Sequence, residues 1–106
     1  MIIVSSSNIA GKKIITTLGI VRGNTVRARH IGKDIVAVFK NLVGGEIHEY
    51  TKLLAESRDQ AIDRMKEHAE SLGANAIVDV RFATSYIMQN AAEILVFGTA
   101  VVVKDE

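Results

Sequence analysis

Cysteine is missing from all 106 residues, and with it go disulfide scaffolds, thiolate nucleophiles, Fe–S clusters and thiolate zinc sites. Metal ligation is left to His, carboxylate and Met. Aromatic side chains are scarce, at 5% of the chain against an apolar fraction of 48%, so the core has to be built from Ile, Val, Leu and Ala. Such a composition favours β-branched strands and a tightly packed helix. An excess of one charge is lacking too: 13 Lys and Arg stand against 12 Asp and Glu, a balance that by itself implies neither a nucleic-acid nor an anionic-membrane partner. The start, Met1-Ile2-Ile3-Val4-Ser5, lacks the basic stretch of a secretory signal, and the longest apolar run, Ile94 to Val103, is broken by Gly98 and Thr99. A bilayer span needs about 20 apolar residues, so the expectation is a cytoplasmic protein without a membrane partner.

The length fits a single domain over residues 1–106, because a core of this size does not divide into two stable halves. The mean hydropathy is nevertheless positive. A domain this short buries only about two-thirds of the surface its unfolded chain exposes, which points to apolar area covered by neighbouring copies.

Lys12 to Arg29 is rich in Ile, Val and Thr without a helical stripe and reads as strand, either long and bent or folded into a hairpin. Gly23-Asn24 marks a bulge or tight turn within it. From Ile31 the period changes: Ile35, Val38, Phe39 and Leu42 outline a short amphipathic helix that stops at Gly44-Gly45. A longer helix follows from about Glu46 to Leu72, with Tyr50, Leu53, Leu54, Ser57, Ala61, Met65, Ala69 and Leu72 on one stripe and Gly73 closing it. Ala76 to Met88 and Glu93 to Val103 then form an antiparallel hairpin turning near Gln89-Asn90-Ala91-Ala92. In the last strand both alternating sets are apolar: Ile94, Val96, Ala100 and Val102 on one side, Leu95, Phe97, Val101 and Val103 on the other. One face is therefore expected against the helices and the other against another subunit, so that charge placed at Val96 or Val101 would test assembly. The fold class is α+β, an antiparallel sheet with a short and a long helix packed on one face.

Four runs in this order carry a resemblance: Leu18-Gly19-Ile20-Val21-Arg22-Gly23; Asn41-Leu42-Val43-Gly44-Gly45-Glu46 with Tyr50; Leu72-Gly73-Ala74-Asn75-Ala76-Ile77-Val78; and Glu93-Ile94-Leu95-Val96-Phe97-Gly98-Thr99-Ala100-Val101. Over nearly its whole length the chain resembles the YbjQ-like family. The resemblance implies a compact subunit, one helix on a sheet, assembled with itself into a ring, a pentamer. The family's name refers to heavy-metal binding. Soft metals prefer thiolate or thioether ligands, yet Met1, Met65 and Met88 are scattered and His30, His48 and His68 form no H-x-x-x-H or H-x-H pair. No metal residue is assigned within one subunit, and a metal site would have to be shared between copies on a ring axis.

Candidate ligand residues are Gly44, Gly45 and Glu46, where a glycine turn enters a helix N-terminus with free N–H groups, Tyr50 and Arg58 on the long helix, and Glu93 before the last strand. Each has a plainer reading as turn, core residue, ion pair or strand-edge charge. Arg22, Arg27, Arg29, His30 and Lys33 form the most basic segment, but the stacking aromatics that a nucleic acid wants are absent from it, and a solvated or interface face fits better. No Ser lies in a nucleophile-elbow context and no catalytic residue is assigned. The function expected is a non-enzymatic homo-oligomer that binds a small ligand or a protein partner, with no cofactor identified. Its alternatives are a metal-binding ring and an enzyme with an interface site built from Glu46, Tyr50 or Arg58.

Overall fold

A computed structural model describes residues 1–28, 46–88 and 91–106. Among these residues four strands and a helix follow one another as β1 (Ile2–Ile3), β2 (Lys12–Ala28), α1 (Glu46–Ser71), β3 (Ala76–Met88) and β4 (Ala91–Asp105). The sheet order is β1-β3-β4-β2, with β4 antiparallel to both neighbours and β1 parallel to β3. The α+β expectation holds, and the short first strand makes the sheet mixed. The expected short helix around Ile35 to Leu42, its Gly44-Gly45 stop and the turn at Gln89-Asn90 lie outside the described residues. A strand of 15 residues spans about 50 Å at about 3.3 Å per residue, which matches the long axis of 55 Å.

The long helix forms where the stripe places it. Ser57, Ala61, Met65 and Ala69, each four residues from the next, are fully buried against the sheet. Ala61, Met65 and Ala69 meet Val21, Ile77, Ile94, Val96 and Ala100 in one core cluster. Gly73, at φ +87°, ends the helix: its N–H donates to the Glu70 carbonyl at 3.0 Å and the Ala74 N–H to the Ala69 carbonyl at 3.1 Å. This is the paired closure of a left-handed cap. Leu72 falls past the last turn and is 42% exposed, so the stripe ends one turn earlier than expected.

β2 is one long strand, irregular between Ile14 and Thr16 and between Thr17 and Gly19. Gly23 therefore marks neither turn nor bulge. A Cβ there would lie 2.0 Å from the Ala61 carbonyl oxygen and 2.5 Å from the Met65 nitrogen, so glycine is required because the helix backbone rests directly on the strand. Gly98 on β4 has a different cause, the neighbouring strand β3, since a Cβ would meet Ile77 Cγ2 at 2.8 Å and the Val78 carbonyl at 3.0 Å.

The second side of β4 differs from the expectation of a sister subunit. Ala76, Val78, Val101 and Val103 are covered by Ile2, Val4, Ile9 and Ile14 of the same chain. The N-terminal segment is held there by the Asp79 N–H to the Ser6 carbonyl at 2.9 Å, the Val80 N–H to the Val4 carbonyl at 3.1 Å, and Arg81 Nη1 to the Ser5 carbonyl at 2.7 Å. Val96 and Val101 are thus buried within one chain. Charge at either would unfold the subunit rather than report on assembly.

Lys12 Nζ donates to Asp105 Oδ1, joining the first residue of β2 to the last of β4. The Lys12 ammonium holds the Asp105 carboxyl below its ordinary range, by hydrogen bond and by charge. A lowered acid pKa favours the folded end above the ordinary carboxylate range and ceases to do so as pH falls through the lowered value. Acidification through the carboxylate range is accordingly expected to lower the protection of the amides at the Lys12 and Asp105 ends, read as exchange relative to an unstructured chain at the same pH, and Lys12→Met to remove that pH dependence of protection. Gly23→Ala is expected to cost at least about 3 kcal/mol in urea unfolding, whereas Ser71→Ala, at an exposed helix end, should stay within about 0.5 kcal/mol.

Candidate functional site

On the sheet side away from α1, strand register lays out a grid. Ile94, Val96 and Ala100 of β4 face the helix, so Glu93, Leu95, Phe97 and Thr99 face the other way. Across the three long strands, Phe97 stands between Arg22 of β2 and Arg81 of β3, Leu95 between Asn24 and Ala83, and Glu93 between Val26 and Ser85. The lower end of this side is sealed by the N-terminal segment. The upper end is open: Ile20 is 76% exposed, Val26 54% and Phe97 36%, and Arg22, Asn24 and Arg81 are exposed as well.

Glu93, a sequence candidate, lies half-buried on this surface, where its Oε2 accepts from Asn24 Nδ2 at 3.1 Å. Arg58 is exposed on the helix, on the opposite side of the sheet, so the structure does not bring it to Glu93. Gly44 and Gly45 lie outside the described residues, and Glu46 and Tyr50 belong to the first turns of α1 with side chains also outside them. The Arg22, Phe97 and Arg81 row was not among the sequence candidates. Its aromatic is supplied by a neighbouring strand rather than by the basic segment itself.

The outer edge of β2 is occupied by the helix. The Arg22 backbone N–H donates to His68 Nδ1 at 3.3 Å, Arg64 Nη1 donates to the Asn24 carbonyl at 2.5 Å, and Thr25 Oγ1 donates to the Ser57 carbonyl at 3.2 Å. The His68 bond requires the imidazole proton on Nε2. Two strand groups that would otherwise point at solvent are thereby satisfied.

Among the described residues no three of His, Cys, Asp or Glu come together. His68 Nδ1 is engaged with the Arg22 N–H, and Met65 is fully buried between the helix and the sheet. One copy thus offers a heavy-metal ion no donor set among these residues. Nor is any helix among them long and apolar enough to cross a membrane.

Known proteins resemble this chain along its length. The YbjQ family model, described as "Putative heavy-metal-binding", matches residues 1–104. A UPF0145 protein of Dehalococcoides mccartyi is 56% identical over 104 residues, which is 98% of this chain and 100% of the relative. Another, of Pseudothermotoga lettingae, is 57% identical over 104 residues, 98% of each chain. The crystal structure of a protein of unknown function from Pediococcus pentosaceus, placed in the DUF74 family, matches with a TM-score of 0.65 at 14% identity, covering 98% of both chains, a likeness of fold.

The edge contacts generate a direct check. His68→Ala is expected to speed hydrogen exchange of the Arg22 amide about tenfold, the effect of one lost hydrogen bond, with the Ile94 and Val96 amides unchanged. Equal protection of Arg22 in both proteins would show that the imidazole does not hold it.

Proposed function

Since the chain belongs to the YbjQ-like family, we propose that it works in the cytoplasm as a homo-oligomer, each copy a single domain over residues 1–106, that closes into a ring and binds a small ligand or a protein partner without catalysis. A pentamer is the copy number that the family resemblance suggests.

The observation that carries the assembly is the outer edge of β3. β1 pairs only with Ala76 and Ile77, and the N-terminal segment reaches no further than Arg81. Beyond it, among the described residues, the edge from Phe82 to Met88 has no strand partner. Phe82 pairs with Val96 and so faces the helix side, yet α1 packs on β2 and β4, and Phe82 is left 48% exposed. An unpaired edge beside an uncovered aromatic is a template for another chain unless something covers it. A second copy is the cover always at hand. We bring in the family's heavy-metal description only through such assembly, because among the described residues the donors of one copy do not converge.

Light scattering of the untagged chain at micromolar concentration is expected to give a multiple of the 11.5 kDa subunit. Phe82→Glu, at an exposed position, should shift the particle to smaller species with unchanged circular dichroism. A folded single copy of the unaltered chain would overturn the assembly.

A further inference from the structure

We infer that the open side of the sheet binds a free mononucleotide, a planar heteroaromatic ring carrying one phosphate. Phe97 stacks the ring, Arg22 and Arg81 take the phosphate, and Asn24 with Glu93 meets the polar edge of the ring. The inference goes beyond the assembly reading, because Phe97 and Phe82 face opposite sides of the sheet.

Register is the first argument. Phe97 is paired directly with Arg22 on one side and with Arg81 on the other, and residues opposed in an antiparallel ladder have Cβ atoms about 5 Å apart. Two guanidinium-bearing side chains therefore flank one exposed ring. Aromatic faces stack any base, and guanidinium forks match phosphate oxygens. Arg81 is steadied through Nη1, which donates to the Ser5 carbonyl at 2.7 Å and to the Val80 carbonyl at 2.9 Å; its Nε and Nη2 donors have no partner among the described residues. The Arg22 side chain has no partner among the described residues.

Charge complementarity selects the occupant. Two cations within one row suit a single dianionic phosphate. The next rows bring the Asn24 amide and then the Glu93 carboxylate, joined at 3.1 Å. An amide with a carboxylate offers donor and acceptor atoms to a base edge, and the carboxylate repels a second phosphate placed further along. A phosphate chain running up the strands would meet that repulsion, which favours a mononucleotide over a nucleic-acid strand. A second copy seated on this surface in a two-fold contact would bring its own arginine pair against this one, so a two-fold sister contact fits poorly here.

The test is a titration of the full chain followed by amide NMR, with GMP, guanosine, inorganic phosphate and a short single-stranded RNA as separate probes. GMP is expected to shift the amides of Arg22, Arg81, Leu95 and Phe97, and to bind more tightly than guanosine or phosphate. Arg22→Gln and Phe97→Leu, both at exposed positions, should each weaken GMP by about tenfold, the scale of one phosphate contact or one stacked ring, while leaving the spectrum of the helix and core unchanged. No GMP shifts, or shifts that neither variant weakens, would overturn the inference. Phosphate binding as tightly as GMP would remove the role of the ring, and tighter RNA binding would replace the mononucleotide by a strand; both count against it. Particle mass measured on the same sample separates the two readings, since a single copy that binds GMP contradicts only the assembly.

Discussion

The contact on which the rest of the structure depends is the one between the backbone of α1 and β2 at Gly23. No Cβ fits between that strand and the Ala61 carbonyl, so the helix can lie this close only by presenting small or slender residues along one line. Ser57, Ala61, Met65 and Ala69 are that line. The closeness has a consequence at the sheet edge. With the helix pressed on an outer strand, Arg64 and His68, flanking the buried line, reach over it and satisfy the Asn24 carbonyl and the Arg22 N–H. Packing and edge protection arise from one approach distance. A looser helix would bury less apolar surface and would also uncover the strand.

The bulge in β3 has comparable reach. Ala76 and Val78 point away from the helix, into the cluster sealed by the N-terminal segment. Pairing then slips between Val78 and Arg81, with Asp79 at φ 55°, a left-handed conformation that Asp tolerates better than most residues. The inserted residue changes the parity of the strand. Without it Arg81 would face the helix side; with it Arg81, Ala83 and Ser85 face the open side beside Phe97, Leu95 and Glu93. The same bulge turns the Asp79 N–H toward the Ser6 carbonyl and its carboxylate toward Ser7 Oγ, which donates at 2.8 Å. One irregular residue thus anchors the N-terminal segment and sets the composition of the exposed row.

What could be read in the sequence follows from how local each signal is. The long helix, its glycine stop and the hairpin of β3 and β4 were legible because stripe, cap and alternation lie within a few residues of one another. Gly23-Asn24 misled because a glycine required by a distant helix looks the same in sequence as one required by a turn. β1 was missed since two residues show no period. The doubly apolar β4 reads as a strand with a sister subunit on its second side, but at Val101 and Val103 that side is covered by Ile2, Val4, Ile9 and Ile14 of the same chain, most of the chain length away, while Phe97 stays 36% exposed. Glu93 stood out as a charge before an apolar strand; its partner Asn24 did not. The pairing of β2 with β4 joins segments about seventy residues apart, and nothing local sets that register, so the row of Arg22, Phe97 and Arg81 was out of reach.

The two outer edges of the sheet are protected by unlike means and to unlike extents. On β2 the helix supplies side chains at Arg22 and Asn24. On β3 the chain's own start supplies main-chain groups from Ala76 to Arg81 and then turns away. A surface with two different edges does not complement itself across a two-fold axis as readily as it meets a different patch on the next copy. Contacts of that head-to-tail kind either close on themselves or continue as a filament. A closed ring leaves no terminal edge, and a sheet whose protection, among the described residues, stops partway along one strand is the kind of subunit for which closure removes the greatest liability.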